Sequence, residues 1–433
     1  MRITTKSRII PSLKSFLILG LAALSVYFAV QLWFVRFTNR SFMPYVAARF
    51  TSTAPDGVSD LVRPFRIISG AGDGYFDIKY SNIAESLLWE DGKAIIGAVL
   101  QNGVFVRRYE HEIDEPQILD VPVVIYQYAF DMSAAAFAQA FDMYQRAGAV
   151  FADRDITTFN AVAVQPSYDD RHILNVFFIG DGYTWEFALE PTGRTDGMFD
   201  IYIPSAYALH RSFVPTENKL VFTTRLHPHF AYHPIAVTNP YKNHAGMLDL
   251  AFIRERVEHF FDNPATINHG LSAVGGVYTF NNLRTSVRYM PWHVIEYASF
   301  RTIGRGSAAE FASNFSAAFA FVQDDPNVIN EFFLAGYDIR GRETAFRFGY
   351  VVDNFPLVLT GPWYTGPDCT NPLLYPIEVV VENGRVVRYS KIVYNFMPDT
   401  GVVVRPQLSV LDGNRLAFPI DAGPHIRLAV IGE

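Results

Sequence analysis

Apolar and polar positions alternate with three rhythms along this chain. From Phe16 to Phe34 the apolar run is continuous, with distinctly polar side chains only at Ser25 and Gln31 and no charge. As a helix it would extend about 28 Å at about 1.5 Å per residue, close to the hydrocarbon thickness of a bilayer. The run continues through Tyr27 and Trp33 into Val35-Arg36-Phe37 without the small-x-small site of a cleaved secretory signal. This predicts an uncleaved transmembrane anchor over 16–35. Arg2, Lys6, Arg8 and Lys14 precede it, and Arg36 and Arg40 follow. The basic excess before the helix predicts a cytoplasmic N-terminus over 1–15 and an extracytoplasmic body at the cell membrane. Ile18, Ala22, Ser25, Ala29 and Leu32 recur at spacings of four and three, and so share one helix face. Three small residues there would let another helix approach closely, although Ala and Ser are tolerated in any membrane helix.

The second rhythm is helical. Ala136, Phe137, Ala140, Phe141 and Tyr144 predict a helix over 133–146, with Asp131 or Ser133 as its cap. Leu248, Phe252, Val257, Phe260 and Phe261 predict a second over 247–261, stopped at Asp262-Asn263-Pro264 because proline pushes its predecessor out of the α region. Phe311, Phe315, Phe319 and Val322 predict a third, starting at Ser307 and ended by Asp325-Pro326.

The third rhythm has period two. Strands are predicted over 159–164, 172–179, 183–189 and 199–203, then over 277–280, 285–290 and 293–300, and finally over 332–339, 344–352, 377–382 and 385–395. The last two are joined by Asn383-Gly384, a strong hairpin signal. Asn102-Gly103 predicts another hairpin over 94–106. Gly70-Ala71-Gly72-Asp73-Gly74 superficially resembles a dinucleotide fingerprint, but Tyr75 to Tyr80 alternates like a strand, so a turn between strands is expected. The sum is an α+β expectation: an N-terminal transmembrane helix, then about three units of a helix packed on an antiparallel β-meander. The divisions fall at a linker over 36–65, an N-terminal extracytoplasmic α+β domain over 66–235, a middle one over 236–305 and a C-terminal one over 306–433.

Charge narrows the partners. Residues 1–40 hold six of the 36 Lys and Arg and none of the 43 Asp and Glu, so the rest carries thirty basic against forty-three acidic residues, a net −13. Such a body repels phosphate backbones, and no nucleic-acid partner is expected. Aromatics at 15% favour β-rich structure. Cys369 is the only cysteine, which rules out an internal disulfide, and its Gly-Pro-Asp-Cys-Thr-Asn-Pro setting predicts an inert loop thiol.

Catalytic chemistry leaves little trace. His227 and His229 could share a strand face and a metal with His233 nearby, but Pro228 and Pro234 break the segment, so no metal or other cofactor is expected. His111-Glu112 opens a metalloprotease motif whose second histidine is replaced by Glu115. The pairs Asp169-Asp170 and Asp324-Asp325 sit in turn-like stretches and are expected to be solvated. A wall hydrolase, whose carboxylates mark a sequence weakly, remains the least favoured alternative.

One ordered set of short motifs stands out. Val257-Glu258-His259-Phe260-Phe261-Asp262-Asn263-Pro264 leads to Gly276-Val277-Tyr278-Thr279-Phe280 and then to Val287-Arg288-Tyr289-Met290-Pro291-Trp292-His293-Val294-Ile295-Glu296-Tyr297. Thr344 to Tyr350 and Pro376 to Tyr389 follow. This order resembles the YycH family, and its closing strands are similar to those of YycH and the related YycI. The resemblance covers the anchor and roughly 245–396; the approach from Pro372 to Pro376 and the tail beyond Pro398 have no match. It implies a single-pass, non-catalytic regulator of a two-component sensor histidine kinase controlling cell-wall metabolism in Gram-positive bacteria, working with a YycI-like partner through its membrane helix and outer domains. The matching positions are Asn263, Pro264, Tyr278, Arg288, Tyr289, Glu296 and Tyr297, as consistent with structural as with functional roles. A cell-envelope polymer or peptide binding module is the alternative, motivated by the abundance of aromatic residues.

Overall fold

Strands with both faces apolar need partners on both edges and cover on both faces, and this requirement shapes the molecule. The computed structural model describes residues 58–71, 76–79, 82–83, 86–110, 118, 121–141, 150–167, 173–180, 182–190, 211–216, 219–224, 235–242, 248–271, 276–290, 293–300, 311–352, 355–359, 375–398, 415–418 and 426–431. Gly57–Glu433 forms one compact unit.

The first sheet contains β1 (Arg66–Ala71), β2 (Phe76–Lys79), β3 (Val104–Glu110), β4 (Pro122–Ser133), β5 (Thr158–Pro166), β6 (Leu174–Ile179) and β7 (Tyr183–Leu189), all antiparallel in the order β2-β1-β4-β5-β6-β7-β3. Its centre is buried on both faces: Val162, Val164 and Phe178 join the main core, while Ala161, Ala163 and Phe177 join a second cluster with Ile68 and Val351. Helix α1 (Leu87–Asn102) covers the main-core face with Trp89, Ile96, Val99 and Leu100. Helix α2 (Ala134–Ala140) is capped by Ser133, whose hydroxyl accepts from Ala136 N at 3.5 Å.

β8 (Arg211–Thr216) and β9 (Lys219–Thr224) pair separately, as do β10 (Ile235–Thr238) and β20 (Asn395–Pro398). The second large sheet runs β11 (Asn268–Leu271), β12 (Tyr278–Asn281), β13 (Thr285–Met290), β14 (Val294–Ser299), β19 (Arg385–Ile392), β18 (Ile377–Glu382), β16 (Glu343–Val352), β17 (Phe355–Leu359), β22 (Ile426–Ile431) and β21 (Arg415–Phe418), with β15 (Glu331–Arg340) paired to β16. Helix α3 (Leu250–Val257) is capped by Asp249 and continues into a 3-10 turn at Glu258–Phe260. Helix α4 (Phe311–Asp324) lies on the second sheet, with Phe315 against Phe346 and Phe348 at 5.4 and 6.3 Å.

The expected chain of three helix-plus-meander units is wrong. Strands of the expected second and third units form a single eleven-stranded antiparallel sheet, joined where β14 pairs β19 from Val294↔Ile392 to Ala298↔Arg388. An isolated meander would leave those backbone edges open, and merging them satisfies both. The expected hairpin over 94–106 is also wrong: its apolar residues recur at helical spacing and are buried on α1, and Gly103 ends that helix at φ −60° instead of turning a hairpin. The hairpin at Asn383-Gly384 does form, with φ of 51° and 73° at the two residues, as a primed turn requires. The expected N-terminal transmembrane helix has no counterpart among the described residues, where no helix is long and apolar enough to cross a membrane; Phe16–Phe34 lies outside them.

Candidate functional site

Lys391 sits at an inward position of β19, in line with Tyr389, so its ammonium must find a carboxylate in the core. Asp325, the first residue past α4, supplies it, with Lys391 Nζ 2.6 Å from Asp325 Oδ2 and both side chains 1% exposed or less. The Tyr389 hydroxyl donates to the same oxygen at 2.8 Å. Asn327 donates to Oδ1 through its backbone N–H at 2.9 Å and its side-chain amide at 3.1 Å, and His259 Nε2 stands 3.4 Å from Oδ1. The Asn327 amide also donates to the Arg256 carbonyl at 3.1 Å, tying the cluster to α3.

Burial alone would push the Asp325 carboxyl up, but Lys391, His259 and the Asn327 N–H together hold it below the usual carboxylate range. Burial draws Lys391 down against the pull of Asp325, and it also lowers His259. Both carboxylate oxygens are engaged, so this cluster organises the fold around the end of α4.

A cavity of about 420 Å³ is lined by Phe260 and Asp324, the chain neighbours of His259 and Asp325. Its aromatic wall is Phe260, Tyr297 and Phe321; the Phe260 and Phe321 rings stack at 5.8 Å, and Tyr297 meets Phe321 at 5.0 Å. Tyr389 lies 5.8 Å from Phe260 and 5.2 Å from Phe321, so two of the lining rings pack on the tyrosine that donates to Asp325. Asp262, Asp324 and Arg385 line the opening and are exposed. Thr285 and Ser299, paired across β13 and β14, complete one side. Beyond them the same hairpin end carries Leu283, 99% exposed, and Phe300, 63% exposed, whose N–H donates to the Arg284 carbonyl at 2.7 Å.

Of the motif positions read from sequence, only Tyr297 lines this pocket. Asn263 caps a 3-10 turn at Pro264–Thr266, accepting from Ala265 N at 3.1 Å, with Pro264 as the first residue of that turn. Tyr278 is half-buried on β12, 6.3 Å from Tyr289. Tyr289 is buried, accepts from the Asn239 amide at 3.1 Å, and is pushed up to about 12 by burial. Arg288 and Glu296 form a cross-strand pair at 2.8 Å on the sheet face away from α4, because alternation puts them opposite Val287 and Tyr297. Ile18, Ala22, Ser25, Ala29 and Leu32 lie outside the described residues, as do His227, His229, His233 and Cys369.

Asp324-Asp325 corrects the expectation of two solvated acids: Asp324 is exposed, whereas Asp325 is sealed against Lys391. The missed signal was Lys391 itself, a cation in register with Tyr389 and Val393 on an apolar strand face. Among the described residues no three of His, Cys, Asp and Glu gather as metal ligands. No protein family, no curated protein and no solved structure matches this chain.

Proposed function

We propose that this chain is a non-catalytic regulator whose body binds a protein partner through the pocket beside α4. The observation that carries the reading is the exposed apolar edge formed by Leu283 and Phe300 next to an open aromatic pocket. Large apolar side chains left in water beside a concave site are what a protein interface uses. The partner class comes from the sequence: the resemblance to YycH, together with the Phe16–Phe34 run, points to a sensor histidine kinase at the cell membrane, acting with a YycI-like protein.

Co-purification of the kinase with the full chain from native membranes tests this. Ala320→Arg fills the pocket from an exposed helix position without removing a core contact. It is expected to cut kinase recovery at least about fivefold, while Glu110→Lys on β3, the outer strand of the first sheet, leaves recovery unchanged. Undiminished recovery with Ala320→Arg, or no kinase with the unaltered chain, contradicts the reading. The three ring faces also support a second reading, an envelope polymer or peptide ligand, since sugars and peptides both stack on aromatics; retention of the full chain on purified cell-wall material, lost in Ala320→Arg, would favour it.

A further inference from the structure

We infer that His293, Lys242 and Tyr394 form a binding site for a carboxylate, at the end of the β13–β14 hairpin away from the pocket. His293 holds φ at 65°, in the left-handed region where glycine sits without cost and a larger side chain is strained. Its N–H donates to the Met290 carbonyl at 3.0 Å, and its own carbonyl accepts from Val393 N at 2.9 Å, so the turn is held from both sides. Around the imidazole the hydrogen bonds allow one arrangement of protons. Asn239 Oδ1 accepts from Tyr241 N at 2.9 Å, so the amide nitrogen Nδ2 faces the other way. There it donates to the Tyr289 hydroxyl at 3.1 Å and stands 3.3 Å from His293 Nδ1, with the Tyr289 hydroxyl 3.4 Å from the same Nδ1. Asn239 brings a hydrogen to Nδ1, so Nδ1 is the acceptor and the ring proton sits on Nε2.

Burial and the nearby Lys242 ammonium hold His293 below the ordinary histidine value, which keeps the ring neutral. Among the described residues Nε2 has no hydrogen-bond partner, and it is not sealed from water, so its N–H is offered outward. Lys242 is exposed, and among the described residues no carboxylate lies within ion-pair distance of it. Tyr394 flanks the imidazole with ring centroids 5.0 Å apart, and both Tyr394 and Val277 pack against Met290, Val294 and Ile392. One neutral N–H donor, one ammonium and an aromatic flank match an oxyanion of single charge. A carboxylate takes the Nε2–H on one oxygen and the ammonium on the other. A dianionic phosphate would keep one charge unmatched beside an acidic body. Thr285, which lines the pocket, and Met290, at the foot of the His293 turn, stand at opposite ends of β13, about 17 Å apart at about 3.4 Å per residue. The carboxylate site therefore stands independently of the pocket and of the function proposed for it.

The test uses the full chain in solution and immobilised pentapeptides Gly-Tyr-X-Tyr-Gly, blocked at both termini, with X as Glu, Gln or phosphoserine, read by biolayer interferometry. The Glu peptide is expected to bind about tenfold tighter than the Gln peptide, as a charge-assisted hydrogen bond exceeds a neutral one, and tighter than the phosphoserine peptide. His293→Gly keeps the turn and removes the donor, and Lys242→Gln removes the charge from an exposed position; each should abolish most of that preference. Ala320→Arg in the pocket should leave it unchanged. An unchanged urea midpoint checks that Lys242→Gln is folded, so the test stands even where His293→Gly does not fold. Sodium acetate as competitor separates the sources of the carboxylate, and either result supports the site: half-displacement below the peptide's own Kd assigns a free small acid, and half-displacement only far above it assigns a peptide side chain. Equal binding of the Glu and Gln peptides, tighter binding of the phosphoserine peptide, no binding by any of the three, or a Glu preference that survives Lys242→Gln overturns the inference. A preference lost in Ala320→Arg places the carboxylate in the pocket and overturns it equally.

Discussion

At the scale of the residue, the molecule depends on how one buried carboxylate is satisfied. Removing a single partner from a sealed ion pair leaves an uncompensated charge, which costs about 3–5 kcal/mol, whereas replacing both by apolar groups is close to neutral. Asp325→Ala is expected to lower unfolding stability by that amount in urea titration, and Asp325→Leu with Lys391→Met to recover most of it. A single variant that leaves stability unchanged would contradict the arrangement. His259 adds a pH dependence. Burial holds its folded-state value below the ordinary 6.5, so the unfolded chain takes up the proton first. Its contribution to stability is therefore full above about 6.5 and declines as pH falls toward the depressed folded-state value. Urea midpoints measured from pH 8 to pH 5 should fall, and His259→Gln should flatten part of that slope; a steeper slope in the variant would reverse the sign.

At the scale of the element, α1 and the Asn383-Gly384 hairpin show what the pattern could and could not convey. A β-carbon at Gly92 would fall onto the ring of Tyr126, a buried residue whose hydroxyl donates to the Leu88 carbonyl at 2.9 Å. At Gly97 on the same helix nothing lies within 4 Å of an added β-carbon. Gly97→Ala should stabilise by about 0.5–1 kcal/mol through helix propensity, while Gly92→Ala should destabilise by about 1–3 kcal/mol through overpacking. Thermal melts of the two variants check the opposite signs, and equal shifts would mean that α1 does not pack on β4 at Gly92.

The same helix explains a failure of sequence reading. Asn-Gly signals a turn but not which elements flank it, and the buried spacing of Trp89, Ile96, Val99 and Leu100 outweighed it. The strands at 285–290 and 377–382 were legible because their alternation is local. Tyr297 was legible as a motif position, but its neighbours Phe321 and Phe260 reach it from α4 and the end of α3. Asp325 and Lys391 are 66 residues apart. No local period reports such a meeting, and only the misfit of Lys391 in an apolar strand face hinted at it.

At the scale of the whole molecule, the two sheets are knitted together by contacts that no single element owns. Ser133 N donates to the Tyr337 hydroxyl at 3.1 Å, and Phe311 N at the start of α4 donates to Gln139 Oε1 of α2 at 3.1 Å. Phe65 of the first sheet's side lies 5.8 Å from Phe333 of β15, and one hydrophobic cluster continues from Leu61 to Phe396. A shared core of this kind is expected to unfold as a unit. Urea transitions followed by tryptophan fluorescence and by far-ultraviolet circular dichroism should coincide; separated midpoints would mean independently stable parts.

The pocket draws on this whole arrangement, since the 3-10 turn after α3, α4, the β13–β14 hairpin and the β18–β19 hairpin each supply a wall of it. The most direct measurement is site-specific photocrosslinking in native membranes, with benzoylphenylalanine placed at Ala320 inside the pocket or at Glu110 on β3, the outer strand of the first sheet. The account predicts an adduct at Ala320 whose mass-spectrometric identity is a sensor histidine kinase, and none at Glu110. A kinase adduct of equal yield at both positions, or none at Ala320, would contradict it.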